Sequence, residues 1–255
     1  MLKARIIPCL LLSNNGLVKT IKFKNEIYVG DPINAVRIFN EKEVDELVVL
    51  DIHASRNNAG PNFEMISKIT DECFMPLAYG GGIRNVEDIK NIFAIGVEKV
   101  IINSSAALDP NLISEASRRF GSQSIVVSVD IKKTIFGGYS AIVPSNKSKI
   151  PENIFEYLSK IESYGAGEIL INDIDRDGEM SGMNLDLIKE ISTLISVPLV
   201  AVGGVGSLNH IKEGIDAGAS AISAGSFFVF NGKHKAVLIS YPSYNIIKDL
   251  LNEQE

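Results

Sequence analysis

Eight times along the chain a short run rich in Val, Ile and Leu is followed by a longer segment of helical periodicity. The strand-like runs fall at 5–11, 46–51, 76–79, 98–102, 124–130, 168–172, 198–202 and 220–224. None alternates apolar with polar residues, so each is expected to be covered on both faces, as parallel strands are. The helical segments fall at 33–44, 61–72, 85–95, 110–119, 152–165, 184–196, 207–217 and 240–252. Caps punctuate them: Asp31-Pro32, Asn85 and Ser207 stand at starts, and Gly96, Gly165 and Gly218 at ends. Eight strand–helix units in 255 residues predict an α/β fold, a (β/α)8 barrel. An open doubly wound sheet would need an early G-x-G-x-x-G. The nearest candidate, Gly204-Val205-Gly206, comes late and has Asn209 where the last glycine belongs.

The chain also repeats itself. A shift of 122 positions sets Glu46 against Glu168, Asp51 against Asp173, Gly81-Gly82 against Gly203-Gly204, and Gly96 against Gly218. An offset near half the length predicts two duplicated half-barrels, about 1–122 and 123–255, in a single domain spanning 1–255. Two long connections, 12–32 and 131–151, leave the C-terminal ends of the first and fifth strands. Barrel active sites form at that face, and connections this long usually carry function.

A net charge of −6 argues against nucleic acid as a partner, and no apolar run reaches membrane-spanning length. The apolar N-terminal stretch contains Pro8 and lacks a small-residue cleavage site, so it reads as a buried first strand rather than a signal peptide. Cys9 and Cys73 lie in apolar surroundings, which suits reduced thiols and a cytoplasmic protein.

Glycines mark the candidate ligand site. Gly81-Gly82 follow the third strand, Gly203-Gly204 the seventh and Gly225-Ser226 the eighth, while Asn103-Ser104 follow the fourth. Backbone N–H groups bared by glycine near a helix start suit an oxyanion. Two such places imply a small molecule phosphorylated at both ends. Asp130 closes the fifth strand and is a candidate general acid or base. The run D-I-D-R-D-G at 173–178 resembles the opening of a calcium loop, but Asn184 stands where a bidentate Glu is required. Asp177-Gly178 then read as scaffolding for the ligand. His53, at the mouth end of the second strand, has no evident partner. No cluster has metal-ligand spacing, and no cofactor is expected. At the other end, Arg5, Glu46, Lys99 and Glu168 sit at or beside strand starts with balanced signs. They could form a salt-bridged plug or simply face water.

Together these segments resemble the cyclase subunit of imidazole glycerol phosphate synthase. The resemblance rests on RIIPCL at 5–10, GDP at 30–32, DEL-VLDI-AS at 45–55, GGGIR-VED at 80–88, FGSQ-IVV at 120–127, GAGEIL at 165–170, DRDG--SG at 175–182 and VP-VA-GG-GSL at 197–208. It covers the chain in nearly constant register. It implies a half-barrel-duplicated (β/α)8 fold with two phosphate sites. It also implies a reaction in which ammonia and a bis-phosphorylated ribulosyl-formimino aminoimidazole carboxamide ribotide give imidazole glycerol phosphate. The ammonia would come from a glutaminase subunit docked at the N-terminal face and pass a charged gate matching Arg5, Glu46, Lys99 and Glu168. Lys19 matches the family's flexible-loop lysine, and Asp130 one of its two catalytic aspartates.

The other aspartate is missing. The family pattern I-I-x-C-L-D closes the first strand, and Leu11 stands in place of its aspartate. The segment 144–151 lacks the family's Thr-Gly, and His53 replaces a threonine. The departures lie at the mouth, while the gate is kept. That pattern resembles a paralogous group linked to acetamidino modification of surface polysaccharides, in which ammonia would go to a sugar amidotransferase. An ordinary histidine-pathway cyclase and a non-catalytic scaffold joining glutaminase to amidotransferase are the alternatives.

Overall fold

The computed structural model describes residues 4–251. Eight parallel strands close on themselves: β1 (Arg5–Ser13), β2 (Leu47–Asp51), β3 (Leu77–Gly80), β4 (Lys99–Ile102), β5 (Ile125–Lys133), β6 (Glu168–Asp173), β7 (Leu199–Val202) and β8 (Ala221–Ala224). Closure is made by β8 pairing with β1, with Arg5 opposite Ala221 and Pro8 opposite Ala224. The outer ring comprises α1 (Pro32–Glu41), α2 (Phe63–Thr70), α3 (Val86–Ile95), α4 (Asn111–Phe120), α5 (Ile154–Ser163), α6 (Leu185–Leu194), α7 (Leu208–Asp216) and α8 (Tyr244–Leu250). This is the expected (β/α)8 barrel. The last helix is shorter than its expected span; position 252 and the first three residues of the N-terminal apolar stretch lie outside the described residues.

Both strand faces are buried, for different reasons. Outward residues such as Ile6, Leu47, Val127 and Ile169 pack under the helices. Inward residues, among them Ile7, Val48, Ile101, Val126, Leu170 and Val200, fill the barrel as a separate apolar layer. That layer is why the strands read as continuous apolar runs. The helix caps form as the sequence implied: Asp31 accepts from the Asn34 amide, Asn85 from Asp88 and Ser207 from His210. Gly96, Gly165 and Gly218 all have positive φ.

The 122-residue echo has a counterpart in space. The Asp51 carboxylate accepts from the amides of His53 and Ala54, and that of Asp173 from Asp175. Gly81 lies on the Asp51 carbonyl, and Gly203 on the Asp173 carbonyl. Gly82 abuts Gly60 as Gly204 abuts Gly182, and Asn62 caps α2 as Asn184 caps α6.

The long connections are not plain loops. In 12–32, strand Gly16–Ile21 pairs antiparallel with β1, and strand Lys24–Gly30 pairs with Gly16–Ile21. Asn14-Asn15 and Lys22-Phe23 turn these corners with positive φ. In 131–151, Tyr139–Ile142 folds back on β5. Asn14-Asn15 ahead of Gly16 was the readable hairpin signal at the first corner.

Gly204 combines positive φ with a backbone oxygen, that of Gly182, where a Cβ would sit. Gly137 has positive φ but open space around it. Gly204→Ala should therefore lose at least ~2 kcal/mol of unfolding free energy, and Gly137→Ala no more than ~1 kcal/mol. Urea unfolding of the two variants checks this; equal losses would mean that close packing at Gly204 is not limiting.

Candidate functional site

The C-terminal ends of the strands open into one cavity. On one side it is lined by Gly81, Gly82, Asn103 and Ser104, and on the other by Asp177, Gly178, Gly203, Gly204, Gly225 and Ser226. Ser104 and Ser226 each open a short helix, Ser104–Leu108 and Ser226–Val229, at matching places in the two halves. Amides at those starts and the bare Gly-Gly turns give two regions suited to oxyanions on opposite sides of the opening.

Asp130 is buried between them on β5, beside the side chains of Asn103 and Asn172. Burial pushes its pKa up to about 7, against the opposing pull of those two amides and of the Arg56 charge. A carboxyl that titrates near neutrality can both give and take a proton. The strand-1 position that should face it is apolar. Leu11 sits in register between Val18 and Leu50 and is half-buried with Leu50 and Val202 against the inward layer. The other mouth carboxylates are engaged. Asp51 holds its own turn, and Glu26 accepts from Ser13 Oγ at 2.9 Å while pairing with His53 Nε2 at 2.8 Å.

Asp177 fastens the β1 hairpin to the mouth. Its Oδ2 accepts from Thr20 Oγ1 at 2.7 Å and from the Phe23 amide at 3.1 Å, and its carbonyl accepts from the Lys22 amide. Burial raises its pKa against these bonds. Gly178 lies so close to the Thr20 carbonyl that a side chain would not fit. Lys19 is buried on the same hairpin, donating from Nζ to the Cys9 carbonyl at 2.5 Å and resting on Gly225. Burial lowers its pKa, with the neighbouring Cys9 and Asp177 opposing. The first half has a corresponding tie: Arg56 Nε donates to the Pro144 carbonyl, and Ser104 Oγ accepts from the Ser145 amide.

Sequence reasoning passed over Thr20, Glu26, Arg56 and Asn172. His53, read as lone, has Glu26 as its partner. Position alone could have flagged Arg56, which stands opposite Gly178 in the 122-residue repeat. Among the described residues no group of three or more His, Cys, Asp or Glu is placed to hold a metal ion.

At the opposite end the four charged residues form a closed ring. Arg5 reaches Glu46 at 2.5 Å and also Glu168, while Lys99 Nζ bonds Glu46 at 3.0 Å and Glu168 at 2.9 Å. Both carboxylates are 4% exposed, and the two cations are more open. The ring spans the entrance beneath the apolar layer, so these residues do not simply face water.

The raised pKa of Asp130 fixes a sign. The folded state holds this proton more tightly than the unfolded chain does, so the contribution is fully present below about pH 4 and is lost as pH rises toward 7. Asp130→Asn should remove that loss. Across pH 4–8 the variant should gain on the parent by up to about 4 kcal/mol in urea unfolding, most of it by pH 7. A constant difference would show that Asp130 titrates normally.

Comparison with known proteins agrees with this architecture. The family described as histidine biosynthesis protein matches residues 5–235. A Pseudomonas aeruginosa protein provisionally named imidazole glycerol phosphate synthase subunit hisF2 is 50% identical over 246 residues, 96% of this chain and 98% of that protein. A Leptospira interrogans protein provisionally named imidazole glycerol phosphate synthase subunit HisF is 49% identical over 245 residues, 95% and 96% of the two chains. A Vibrio vulnificus protein provisionally named subunit hisF3 of the same synthase is 47% identical over 248 residues, 95% and 94%. A barrel match of this extent settles the family: the chain belongs to the histidine biosynthesis proteins, among the relatives of the imidazole glycerol phosphate synthase cyclase subunit.

Proposed function

We propose that this barrel receives ammonia from a glutaminase docked at its N-terminal face and delivers it at the mouth for amidation, forming the acetamidino group of a surface polysaccharide sugar. The observation that carries the reading is Leu11. It puts an apolar side chain beside Leu50 and Val202 where a second proton-transferring group is needed, while the ring of Arg5, Glu46, Lys99 and Glu168 stays complete. Two-carboxylate chemistry with one carboxylate replaced by a hydrocarbon loses its acid or its base.

The interior supports transit of a neutral molecule. Between ring and mouth the inward layer is Ile7, Val48, Ala78, Ile101, Val126 and Leu170 with their neighbours. Such a lining disfavours ammonium, whose desolvation is costly, far more than it disfavours ammonia. The ring closes the lower end of that layer and would hold back bulk water and cations, so that what enters is the neutral ammonia the glutaminase releases. At the mouth, the two oxyanion-suited regions would bind a ligand phosphorylated at both ends. Its binding would keep the opening occupied and shielded, with Lys19 and Asp177 holding the β1 hairpin down. The Asp130 carboxyl, titrating near neutrality, favours some retained proton transfer over a purely scaffolding role.

The direct test is the family reaction. Purified protein given the ribulosyl-formimino aminoimidazole carboxamide ribotide and excess ammonium should make no imidazole glycerol phosphate above background. Leu11→Asp should raise turnover by at least ~100-fold, the usual scale for one general acid or base. Parent turnover at an ordinary enzymatic rate, ~1 s−1 or faster, would establish a histidine-pathway cyclase instead.

A further inference from the structure

The hairpin that carries β5 beyond the mouth ends in two side chains the fold does not use. Ile135 and Phe136 are each 99% exposed. The turn closes without them, the Thr134 amide donating to the Gly138 carbonyl at 2.7 Å and the Gly137 amide to the Thr134 carbonyl at 3.1 Å. Full burial of either side chain is worth about 1.5–3 kcal/mol, so an adjacent exposed pair is a standing incentive to contact something.

The segment's own charge is one-sided, although Asp175 from the turn after β6 accepts from the Lys133 amide at 2.9 Å. From 131 to 151 there are four lysines, Lys132, Lys133, Lys147 and Lys149, and no Asp or Glu, in a chain of net charge −6. All four are exposed, and among the described residues none forms an ion pair. Across the opening, the β1 hairpin presents a second apolar pair. Its strand Lys24–Gly30 is the free edge of the sheet and exposes Ile27 and Tyr28. β1 and β5 stand on opposite sides of the ring, so the two hairpins rise from opposite sides of the mouth.

We infer that these two hairpins are the docking surface for the enzyme that consumes the ammonia, an acidic face with an apolar cleft that takes Ile135 and Phe136. The inference rests on the reading of the barrel as an ammonia donor. Ammonia released into neutral water is protonated and stops being a nucleophile, so the consumer must cover the mouth while it is delivered. The strand runs three residues past Asp130 to Lys133, about 10 Å of extended rise, and the turn at its end carries Phe136 farther out. That is too far to touch a ligand on Asp130 and is the right reach for a body seated over the opening. Unpaired lysines around an apolar tip steer an acidic partner and set its orientation. An apolar, basic tip also suits an anionic bilayer, but two apolar pairs bracketing an opening favour a body that seals it.

The test uses cells that make the protein with its partners. Phe136→p-benzoylphenylalanine is photo-crosslinked and the products identified by mass spectrometry. The amidated fraction of the polysaccharide sugar is measured with the parent chain and with Ile135→Glu/Phe136→Glu. The expected result is a crosslink to an ATP-dependent amide- or amidine-forming enzyme and at least a tenfold fall in amidated sugar. The purified variant should keep the parent's thermal unfolding and its full stimulation of the glutaminase. Unchanged amidation in the variant overturns the docking surface and leaves the ammonia reading standing. Sedimentation of the parent, but not the variant, with phosphatidylglycerol vesicles would assign the tip to lipid and overturn it too. Absence of amidated sugar with the parent chain would bring down the functional reading and the docking surface together.

Discussion

Closing eight parallel strands into a barrel leaves a narrow interior that side chains fill. That constraint sorts the inward positions by height. The middle is mostly apolar, because a polar group there has neither water nor a ready partner, and Ile7, Val48, Ile101 and Leu170 meet the requirement. Ser223, level with Ile7, is the departure, fully buried with its hydroxyl unpaired among the described residues, and charged inward residues lie at the two ends. At the lower end, Glu46 and Glu168 are nearly dry, and each lies between Arg5 and Lys99. Alternating signs let every charge meet two of the opposite kind. The ring is therefore an all-or-none arrangement: three members would strand a buried charge.

At the mouth the same crowding acts on single groups. Burial disfavours the charge on Asp130 and on Lys19 alike, pushing one pKa up and the other down. Both shifts move the groups toward neutrality, where protons change hands easily. The β1 hairpin supplies part of that burial. It is held by hydrogen bonds from Thr20 and Phe23 to Asp177, so the acidic turn after β6 fixes the hairpin that carries Lys19.

What the sequence made legible was whatever depends on neighbours in the chain. Strand runs, the Asp31, Asn85 and Ser207 caps and the αL glycines are local and were readable. The repeat was readable at Gly81-Gly82 and Gly203-Gly204 because close backbone approach tolerates only glycine there. It was harder to see at Ser55 and Asp177, equivalent positions whose side chains have diverged. Pairings made by folding together distant segments were not legible at all. Glu26 meets His53 only because the hairpin folds across the end of β2, and Arg56 meets Pro144 only because the β5 hairpin bends toward it. The ring was intermediate: strand starts placed its members at one end, but only closure could bring Arg5 to both glutamates.

The two ends have gone different ways, and stability alone does not explain the difference. A buried ring of four charges is commonly no better for stability than well-packed hydrocarbon, and often worse. A half-buried Leu11 against Leu50 and Val202 is favourable packing where a carboxylate would have to be desolvated beside the apolar layer. If folding stability were the only pressure, the ring should have been replaced by apolar side chains before the mouth was. The chain has the demanding arrangement below and packed hydrocarbon above, so the ring is held there by something other than folding stability.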